Sequence, residues 1–544
     1  MQCVEQIRNI CLTDHQQIVY SSAIDFLKNS EPILVIVGQA GTGKTTITRK
    51  IVEYARSMKR LKVVGVAPTH KARRVLEQVL NRDTFLRIQT MTVAGLLNKM
   101  RGHSYIGTSR YVRDGSHKLD SFDLFIIDEV SMICDSDYKE IVKLGEEYRK
   151  KIIFIGDYIQ IPNPSQKFSR LHDSLVKPDS IAFKNHNCLE LTQVIRQGEA
   201  NPLREVYKKF RGQDLMLPVV FDRTSKHNSR GEGVEYVSDH EEFITFLKTR
   251  FNRESKIIVY TNKNVSKYNQ LIRQKLEYDV DYQPGEPLMG YQNIYGVIEN
   301  GQEYTVVTNL PVSNHCIMME GGLIYTDLVG CILGLRDEMG VERSVFLPNP
   351  VNPANLQILN ELVRRAERVN SIGSSKRDFR EYMNLKSKLL FTDNIYKYDG
   401  QILTHHEFVS SHPLLFTGVS DTVEEKDGRR KVLSTPQVQQ LRISYTDLLQ
   451  HRLKDSKTIA DNEQFADRFM ILEKDLDYSY AITAHKSQGS TYKHVFIDET
   501  DFMRIKDRWN FRYKLRENRV KERNQLLYVA YSRSSHNVCV FYQD

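Results

Sequence analysis

The sequence has few of the features that mark membrane, secreted or zinc-stabilised proteins. Its seven cysteines, at positions 3, 11, 134, 188, 316, 331 and 539, include no Cys-x-x-Cys pair, so neither a zinc site nor a disulfide framework is indicated. No apolar run approaches the ~18 residues that a membrane helix needs, and no charged-then-apolar segment opens the chain. No internal repeat or low-complexity tract stands out. We therefore expect a soluble protein of a reducing compartment.

Length and charge narrow the class further. The chain has 544 residues, enough for about three to four domains of ~150 residues, and 40% of them are hydrophobic, so it can bury several cores. The formal net charge is +9. This excess of positive charge is modest, but it favours an anionic partner such as nucleic acid.

One glycine-rich stretch, 38–45 (GQAGTGKT), follows the apolar run 33–37 and matches the phosphate-loop pattern of Gly, four residues and Gly-Lys-Thr. The glycines let the backbone aim N–H groups at nucleotide phosphates. Lys44 would reach the β- and γ-phosphates, and the Thr45 hydroxyl would coordinate Mg²⁺. Apolar residues then recur on one helical face, at Ile47, Ile51, Val52, Ala55 and Met58. Strand, loop and helix together predict a nucleoside triphosphate site.

Two further features support that site. The apolar segment 122–127 ends in Asp128-Glu129, where an Asp can hold the metal and a Glu can orient the attacking water. A strand that simply ends at the surface is the alternative. Upstream, Gln16 can read an adenine through its amide, although residues 13–27 also fit an ordinary capped amphipathic helix that buries Ile18 and its apolar neighbours.

Four strand candidates, 33–37, 62–67, 122–127 and 151–155, alternate with helical segments, and each ends in polar residues. Alternation of this kind predicts a parallel sheet with its site along the carboxyl edge.

Several other segments occur in the order of the superfamily 1 helicase motifs. They are Ala67-Pro68-Thr69-His70 (motif Ia), Gly156-Asp157-x-x-Gln160-Ile161-Pro162 (III), 191–197 (LTQVIRQ, IV), 484–491 (AHKSQGST, V) and 527–533 (LYVAYSR, VI). Between motifs IV and V, 258–262 (IVYTN) leads into a helical pattern in the way the second motor domain begins. The chain therefore resembles a superfamily 1 DNA helicase of the RecD/Dda-like branch.

The resemblance implies an α/β fold with two RecA-like parallel-sheet P-loop NTPase domains, an inserted β-hairpin and an inserted small SH3-like β-barrel. We expect the first domain at 1–190, with a pin-like insertion at 98–120. The second would comprise 191–280 and 476–544, and 281–475 would form the barrel and helical accessory domain.

The resemblance also implies roles for individual residues. ATP and Mg²⁺ are the implied cofactors. The catalytic set is Lys44, Asp128, Glu129, Gln160 as γ-phosphate sensor, and the arginine fingers Arg196 and Arg533, which would arrive from the second domain. Nucleotide contacts are expected from Gln16, Gly38, Gly41, Gly43, Lys44, Thr45 and Thr46, with Thr45 and Asp128 on the metal. DNA contacts are expected from Pro68, Thr69, His70, Thr92, Tyr260, Thr261, Asn262, His485, Lys486 and Ser487. The chain departs from the family at 90–92 (TMT), where motif Ib often carries histidine.

The implied function is ATP-driven translocation on single-stranded DNA, 5′ to 3′, with unwinding of duplex DNA. Single-stranded DNA and its junctions with duplex are the implied partners, beside replication, recombination or defence proteins. A monomer is the expected active form, in the cytoplasm of a bacterial or phage-infected cell and associated with the nucleoid. One rival is a translocase subunit of a nuclease or defence complex that separates no strands. Another is a phosphate-loop kinase or signalling NTPase, which would leave motifs V and VI without a purpose.

Three segments lie outside the motor motifs. Residues 98–120 predict a hairpin, with Tyr105 and Tyr111 as candidates for splitting the first base pair or as ordinary loop tyrosines. Residues 363–388 carry a basic run at helical spacing, read either as a solvated helix face or as a DNA-tracking surface. Residues 501–523 interleave aromatic and basic residues, read either as the buried stripe of a helix or as a single-strand binding segment.

Overall fold

The structure is a computed structural model. It describes residues 12–81, 87–103, 109–113, 117–163, 169–171, 174–184, 187–195, 200–211, 214–370, 375–411, 469–510 and 513–543. Within these ranges, no helix is long and apolar enough to cross a membrane.

The α-helices of the described residues are numbered in chain order. They are α1 Asp14–Lys28, α2 Lys44–Ser57, α3 His70–Asn81, α4 Val93–Leu96, α5 Asp135–Glu147, α6 Leu203–Arg211, α7 His240–Arg250, α8 Asn262–Lys275, α9 Leu356–Asn370, α10 Lys376–Lys386, α11 His405–Ser411, α12 Ala484–Ser487, α13 Glu499–Phe502 and α14 Val520–Ser532.

The strands are numbered in the same way. They are β1 Ile33–Gly38, β2 Val63–Ala67, β3 Gln89–Thr92, β4 Lys99–His103, β5 Ser109–Arg113, β6 Leu124–Ile127, β7 Lys151–Gly156, β8 Ser169–Leu171, β9 Ser174–Val176, β10 Cys188–Leu191, β11 Lys226–His227, β12 Gly233–Val237, β13 Ser255–Val259, β14 Pro287–Gly290, β15 Glu303–Met318, β16 Ile324–Asp337, β17 Glu342–Pro348, β18 Ile395–Tyr398, β19 Gln401–Thr404, β20 Phe469–Leu472, β21 Leu476–Tyr478, β22 Ala481–Thr483, β23 Tyr492–Asp498, β24 Arg508–Asn510, β25 Leu515–Glu517 and β26 Ser534–Phe541.

The phosphate loop belongs to a parallel sheet of six strands in the order β10-β1-β7-β6-β2-β3. Its central strands are buried on both faces, which explains why β1 and β6 read as continuous apolar runs rather than alternating ones. Two hydrophobic cores cover the faces, one containing the buried side of α1 and α2 and the other that of α5. The predicted parallel sheet is confirmed, and β3 and β10 are added to the four predicted strands.

A second six-stranded sheet has the order β11-β12-β26-β23-β13-β22 and is parallel except for the edge pair β11 and β12. Here β13 leads into α8, as the sequence at 258–262 predicts. Two parallel α/β sheets agree with the predicted pair of RecA-like domains.

The chain divides into two compact units. The first comprises Met1–Lys99, Arg113–Asp279 and Ser479–Asp544, and contains both parallel sheets. The second comprises Met100–Val112 and Val280–Tyr478.

The second unit contains an antiparallel sheet, β17-β16-β15-β14-β21, and a three-stranded sheet, β19-β18-β20. Helices α9 and α10 pack against the outer half of the long β15–β16 hairpin in one hydrophobic core. The SH3-like barrel stays a prediction. The basic run 363–388 falls on α9 and α10, where Arg364, Arg365 and Arg377 pair with glutamates of their own helices. Both interpretations of this run stay open.

Three local expectations are wrong. Ile18 and Met58 are exposed, because Ile18 lies on the outer side of α1 and Met58 is the C-cap beyond the last turn of α2. Most of the segment 501–523 is not a helical stripe: β24 and β25 form an antiparallel hairpin, and α14 begins only at Val520. At 98–120 the predicted hairpin is present as the two-stranded sheet of β4 and β5.

A nearly buried ion pair fixes the segment that leads from α6 into the second sheet. The Arg223 guanidinium donates two hydrogen bonds, of 2.5 and 2.9 Å, to the carboxylate of Glu499 at the start of α13. The same guanidinium lies over the rings of Phe221, Tyr236 and Tyr542. Because Glu499 is almost completely buried, Arg223 is the cation that compensates its carboxylate.

We expect Arg223→Met to lower the stability of the first unit by about 3–5 kcal/mol, because it leaves a buried carboxylate without its cation. The exposed pair of Lys208 and Glu205 provides the matched control, and Lys208→Met should cost no more than about 1 kcal/mol. Urea denaturation of both variants measures the difference. Equal urea midpoints for the two variants would show that Arg223 does not stabilise the segment between α6 and the second sheet.

Candidate active site

The phosphate loop joins the end of β1 at Gly38 to the start of α2 at Lys44. Gly41 and Gly43 both have φ of 83°, the left-handed region that glycine adopts without strain. A Cβ on Gly43 would lie 2.2 Å from Nε2 of Gln16, so no larger residue fits there without displacing Gln16. The loop thus forms a tight cradle at a helix N-terminus, the arrangement that receives phosphate.

Lys44 and two carboxylates form the charged centre of the site. The Lys44 ammonium donates to the carbonyl oxygens of Gly38 and Gln39, at 2.6 and 3.0 Å. Asp128 and Glu129 follow β6 at the carboxyl edge of the same sheet, and Oδ1 of Asp128 accepts a hydrogen bond from the Glu129 N–H at 2.9 Å. The sheet therefore brings these three predicted residues together.

Burial shifts both carboxylates. Desolvation raises the pKa of Asp128, against the opposing effects of the Glu129 N–H and the Lys44 charge. Desolvation and the neighbouring Asp128 charge raise the pKa of Glu129 to about 7. Glu129 also has a φ of 53°, so its backbone is strained in addition to its carboxylate being desolvated. Strain and raised pKa values at one place are typical of a functional site.

Three buried polar atoms near the phosphate loop are available to a nucleotide and its metal. Oε2 of Glu129, Nε2 of Gln39 and Oγ of Ser131 are buried and have no hydrogen-bond partner among the residues that the structure describes. Buried polar atoms normally have partners, because an unmade hydrogen bond costs free energy. Polar atoms left over around a phosphate cradle are the groups that a polyphosphate, its metal and its attacking water would use.

Gln16 lies against the loop, as expected of a nucleotide contact. Its side chain is buried, Nε2 donates to the Thr42 carbonyl at 3.0 Å, and Oε1 accepts from the Thr13 N–H at 3.1 Å as part of a capping box. Its amide therefore makes bonds to the chain in this structure. Adenine reading by Gln16 stays a prediction.

Helix α14, which carries motif VI, docks three side chains onto the first sheet's domain. They lie on one helical face: Lys521 contacts Asp179, Gln525 contacts the Gln160 carbonyl and Tyr528 reaches the phosphate loop. The Tyr528 hydroxyl donates to Oδ2 of Asp157 at 2.6 Å and accepts from the Ala40 N–H at 3.2 Å. All of these groups around Tyr528 are buried, so the second domain is hydrogen-bonded into the wall of the cradle.

Gln160 is part of the same contact between the two domains. Its side-chain Oε1 accepts a hydrogen bond of 2.9 Å from Nε2 of Gln488, a motif V residue. Both glutamines are buried. The predicted γ-phosphate sensor is thereby connected directly to motif V.

The two predicted arginine fingers are placed differently. Arg533 is buried, and its guanidinium donates to the carbonyls of Val529 and Ser490 and to the Ser532 hydroxyl, all in the second domain. Its charge nevertheless acts on Glu129, whose pKa it lowers. Arg196 lies outside the described residues. The N–H of Ile195 donates to the Gly41 carbonyl at 2.7 Å. The role of Arg196 as an arginine finger stays a prediction.

The predicted DNA residues lie at strand ends and helix starts of both domains. Pro68 and Thr69 follow β2 and His70 opens α3, while Tyr260, Thr261 and Asn262 join β13 to α8 and 485–487 form α12. Four of their side chains cap helices or bond within their own domain: Thr69, Thr92, Thr261 and Ser487. The Lys71 ammonium donates to the Lys486 carbonyl at 3.3 Å, which brings motifs Ia and V together. Of the pin candidates, Tyr105 lies outside the described residues and Tyr111 lies in β5.

Comparison with known proteins agrees with this architecture. Residues 12–228 match the family model of an AAA domain, and residues 478–541 match that of a UvrD-like helicase C-terminal domain. The ATP-dependent DNA helicase dda of Enterobacteria phage T4 is 25% identical over 52% of this chain and 62% of its own length. The two family models and this relative support a superfamily 1 helicase of the RecD/Dda-like branch.

Two other proteins similar to this helicase extend over more of it. The uncharacterized protein R530 of Acanthamoeba polyphaga mimivirus is 23% identical over 89% of this chain and 93% of its own length. The solved structure of a Bacteroides Pif1 helicase in complex with ADP-AlF3 and single-stranded DNA covers 98% of this chain and 92% of its own, with 15% identity and a TM-score of 0.45.

Sequence reasoning missed the residues that join the two domains of the helicase. Tyr528, Gln488 and Gln525 lie in or beside motifs V and VI, but their types are common in ordinary helices. Their partners, Asp157 and Gln160, are more than 300 positions away in the sequence. The signal available was the spacing of 521, 525 and 528, which puts three polar residues on one face of α14.

Lys44→Ala should abolish ATP hydrolysis and leave binding of single-stranded DNA largely intact, because Lys44 lies at the phosphate cradle and the predicted DNA residues lie on other loops. Steady-state ATPase and oligonucleotide anisotropy measure the two properties. Thr48 on the same helix provides a control, since its hydroxyl bonds the Lys44 carbonyl, and Thr48→Ala should keep activity. ATPase activity of Lys44→Ala within a few-fold of wild type would contradict the assignment.

Proposed function

We propose that this protein is an ATP-dependent DNA helicase that translocates 5′ to 3′ on single-stranded DNA and unwinds duplex DNA. The observation that carries the proposal is the hydrogen-bonded contact from α14 and Gln488 to Asp157, Gln160 and the phosphate loop. A phosphate-loop kinase has no use for a second α/β domain bonded to its nucleotide cradle. Family membership and the names of relatives support a DNA substrate.

In this proposal the chain's own residues divide the work of hydrolysis. Lys44 leaves the carbonyls of Gly38 and Gln39 for the β- and γ-phosphates, and Gly38, Gly41, Gly43 and Thr46 complete the cradle. Thr45 and Asp128 would hold Mg²⁺, which would supply neutralisation of phosphate charge. Glu129 orients the attacking water through its unpartnered oxygen. Gln16 contacts the base.

Coupling to DNA follows from the bonds that the phosphates would replace. Arg533 exchanges its bonds to Val529 and Ser490 for the transferring phosphate, and Arg196 is proposed as the second arginine finger. Gln160 responds to the γ-phosphate and passes the change to Gln488 and thus to His485 and Lys486, which grip the strand. Alternate closing and opening of the two domains then moves the DNA in steps.

We also propose the domain limits given above, activity as a monomer, and a cytoplasmic, nucleoid-associated location with replication, recombination or defence proteins as partners. We also propose the remaining predicted DNA contacts. They are Pro68, Thr69, His70, Thr92, Tyr260, Thr261, Asn262 and Ser487. For Thr69, Thr92, Thr261 and Ser487, whose hydroxyls have partners within the fold, backbone groups are the proposed contacts.

Strand displacement on duplexes with a 5′ or a 3′ single-stranded tail tests this function. We expect ATP-dependent displacement from the 5′-tailed duplex only, and none from either duplex with Lys44→Ala. Displacement from the 3′-tailed duplex alone would reverse the proposed polarity. Single-strand-stimulated ATPase with no displacement would favour the alternative, a translocase subunit of a nuclease or defence complex.

The β4–β5 hairpin is proposed as the element that splits the duplex, with Tyr105 or Tyr111 against the first base pair. Shortening 104–112 to a tight turn should leave DNA-stimulated ATPase and single-strand translocation running while strand displacement falls, because pulling a strand unstacks the duplex only against an obstacle. The three rates are measured on one variant. Undiminished displacement would mean that the duplex is split elsewhere.

A further inference from the structure

The hairpin formed by β24 and β25 presents an aromatic and cationic surface that the ATPase mechanism does not use. It is held in a four-stranded sheet, β24-β25-β9-β8, in which β25 pairs in parallel with β9. Because β8 and β9 lie between β7 and β10 in the chain, this sheet joins a segment of the first domain to a segment of the second. The hairpin is therefore fixed at its base.

One face of the hairpin exposes a large aromatic side chain. Trp509, the only tryptophan of the chain, is 54% exposed, and Tyr513 at the turn is 45% exposed. Trp509 is the cross-strand neighbour of Arg516, so the two side chains lie on the same face of the hairpin. The two exposed rings lie close together in the chain, on a hairpin that also carries exposed arginines and lysines, which is the combination of side chains that single-stranded nucleic acid binds.

The charges around Trp509 are arranged with the positive groups outward. Arg508 pairs with the buried carboxylate of Glu517, and Arg516 pairs with Asp507, which is far less exposed than the arginine. Arg504 likewise pairs with the fully buried Asp501. In the described part of 503–517, every exposed charged residue is positive: Arg504, Lys506, Arg508, Lys514 and Arg516.

These ion pairs orient the guanidinium groups without using all of their donors. A guanidinium has five N–H donors in a rigid fork, and one carboxylate occupies only part of it. The outer edges of Arg508 and Arg516 therefore stay available to a phosphate, while the inner edges fix the side chains and reduce the entropy lost on binding.

We propose that the β24–β25 hairpin binds single-stranded DNA, with Trp509 stacking on an unpaired base and Arg508, Arg516, Lys506 and Lys514 contacting the adjacent phosphates. Single-stranded rather than duplex DNA is the occupant, because a base must be unpaired and unstacked to lie on an indole. The base of the hairpin leads through Asn518 and Arg519 to a cleft that is also lined by Lys177 and the motif V residue His485. Glu522 and Lys521 line the same cleft, so it carries charges of both signs, and the excess of exposed positive charge lies on the hairpin itself. The inference rests on the proposed DNA-dependent function and adds a contact to it.

The single tryptophan makes the test direct, because all indole emission comes from Trp509. Titration with oligo(dT) should quench this emission at the same concentrations at which the anisotropy of a labelled oligo(dT) rises. Trp509→Ala should raise the Kd for oligo(dT) by about 5- to 150-fold, the range expected for loss of one stacked base. Trp509→Phe should keep most of the affinity, and Tyr148→Ala, at another exposed aromatic of the same unit, should keep all of it. Unchanged thermal melting of Trp509→Ala checks its fold.

The charged part of the proposal has its own measurement. Lys506→Gln and Lys514→Gln should each reduce the slope of log K against log salt for oligo(dT) by about 0.7, the value for one phosphate contact to a single strand. An unchanged slope in both variants would remove the phosphate contacts from the proposal.

The outcomes separate this inference from the function on which it rests. Tight oligo(dT) binding by anisotropy, with neither quenching nor an effect of Trp509→Ala, would overturn the inference and leave the helicase function standing. Quenching by blunt duplex but not by oligo(dT) would overturn the choice of a single strand. Failure to bind oligo(dT) by either method would contradict the proposed function itself.

Discussion

A phosphate cradle must keep polar groups dry and yet leave them available, and this requirement shapes the structure around residues 38–45. Two carboxylates, Asp128 and Glu129, are held in a desolvated place where the pKa of each is raised. Buried polar atoms usually have partners, but here Glu129 and Gln39 each keep one without a partner among the described residues. Fold stability therefore has to come from elsewhere, and the buried apolar side chains of strands β1, β6 and β7 provide it. A rigid sheet can hold such groups in place at its edge because its own hydrogen bonds are complete.

The second constraint is that the two domains must meet without filling the cradle. Tyr528 meets it with a single hydroxyl that bonds Asp157 and the Ala40 N–H, so one side chain contacts the motif III aspartate and the phosphate loop together. Both bonds are buried, and each is therefore worth more than it would be in water. The bond from the Ala40 N–H is also of the kind that a phosphate oxygen can replace. The contact between the domains thus uses an N–H of the phosphate loop and the carboxylate of Asp157 beside it, so a ligand that took over the Ala40 N–H would weaken this contact.

Local sequence patterns predicted most residues of the nucleotide site, whereas the residues that were missed depend on partners far away in the sequence. Lys44, Asp128 and Glu129 could be predicted because their roles depend on a strand end and a helix start within a few residues. Tyr528 could not, because its partner Asp157 is 371 positions away and nothing in either neighbourhood specifies the other. The hairpin at 508–517 was given a wrong alternative for the same reason: three-residue strands have almost no intrinsic preference, and β25 is held by β9, far earlier in the chain. The prediction that Met58 lies on the buried face of α2 was wrong because Met58 continues the apolar spacing but lies beyond the last turn, where it is exposed.

Buried acids paired with exposed arginines explain how one short hairpin can be held in the fold and still present positive charge to a ligand. Glu517 is buried, so its negative charge must be paired, and Arg508 pairs it from the surface. The pair therefore contributes to holding β24 on β25 while it leaves a positive edge in water. The same logic applies to Asp501, whose carboxylate also caps the turn before α8 through the N–H groups of Tyr260 and Thr261. Since the acids serve the fold and the arginines face outward, substitutions of the exposed side chains should alter what this surface binds well before they alter how the domain folds.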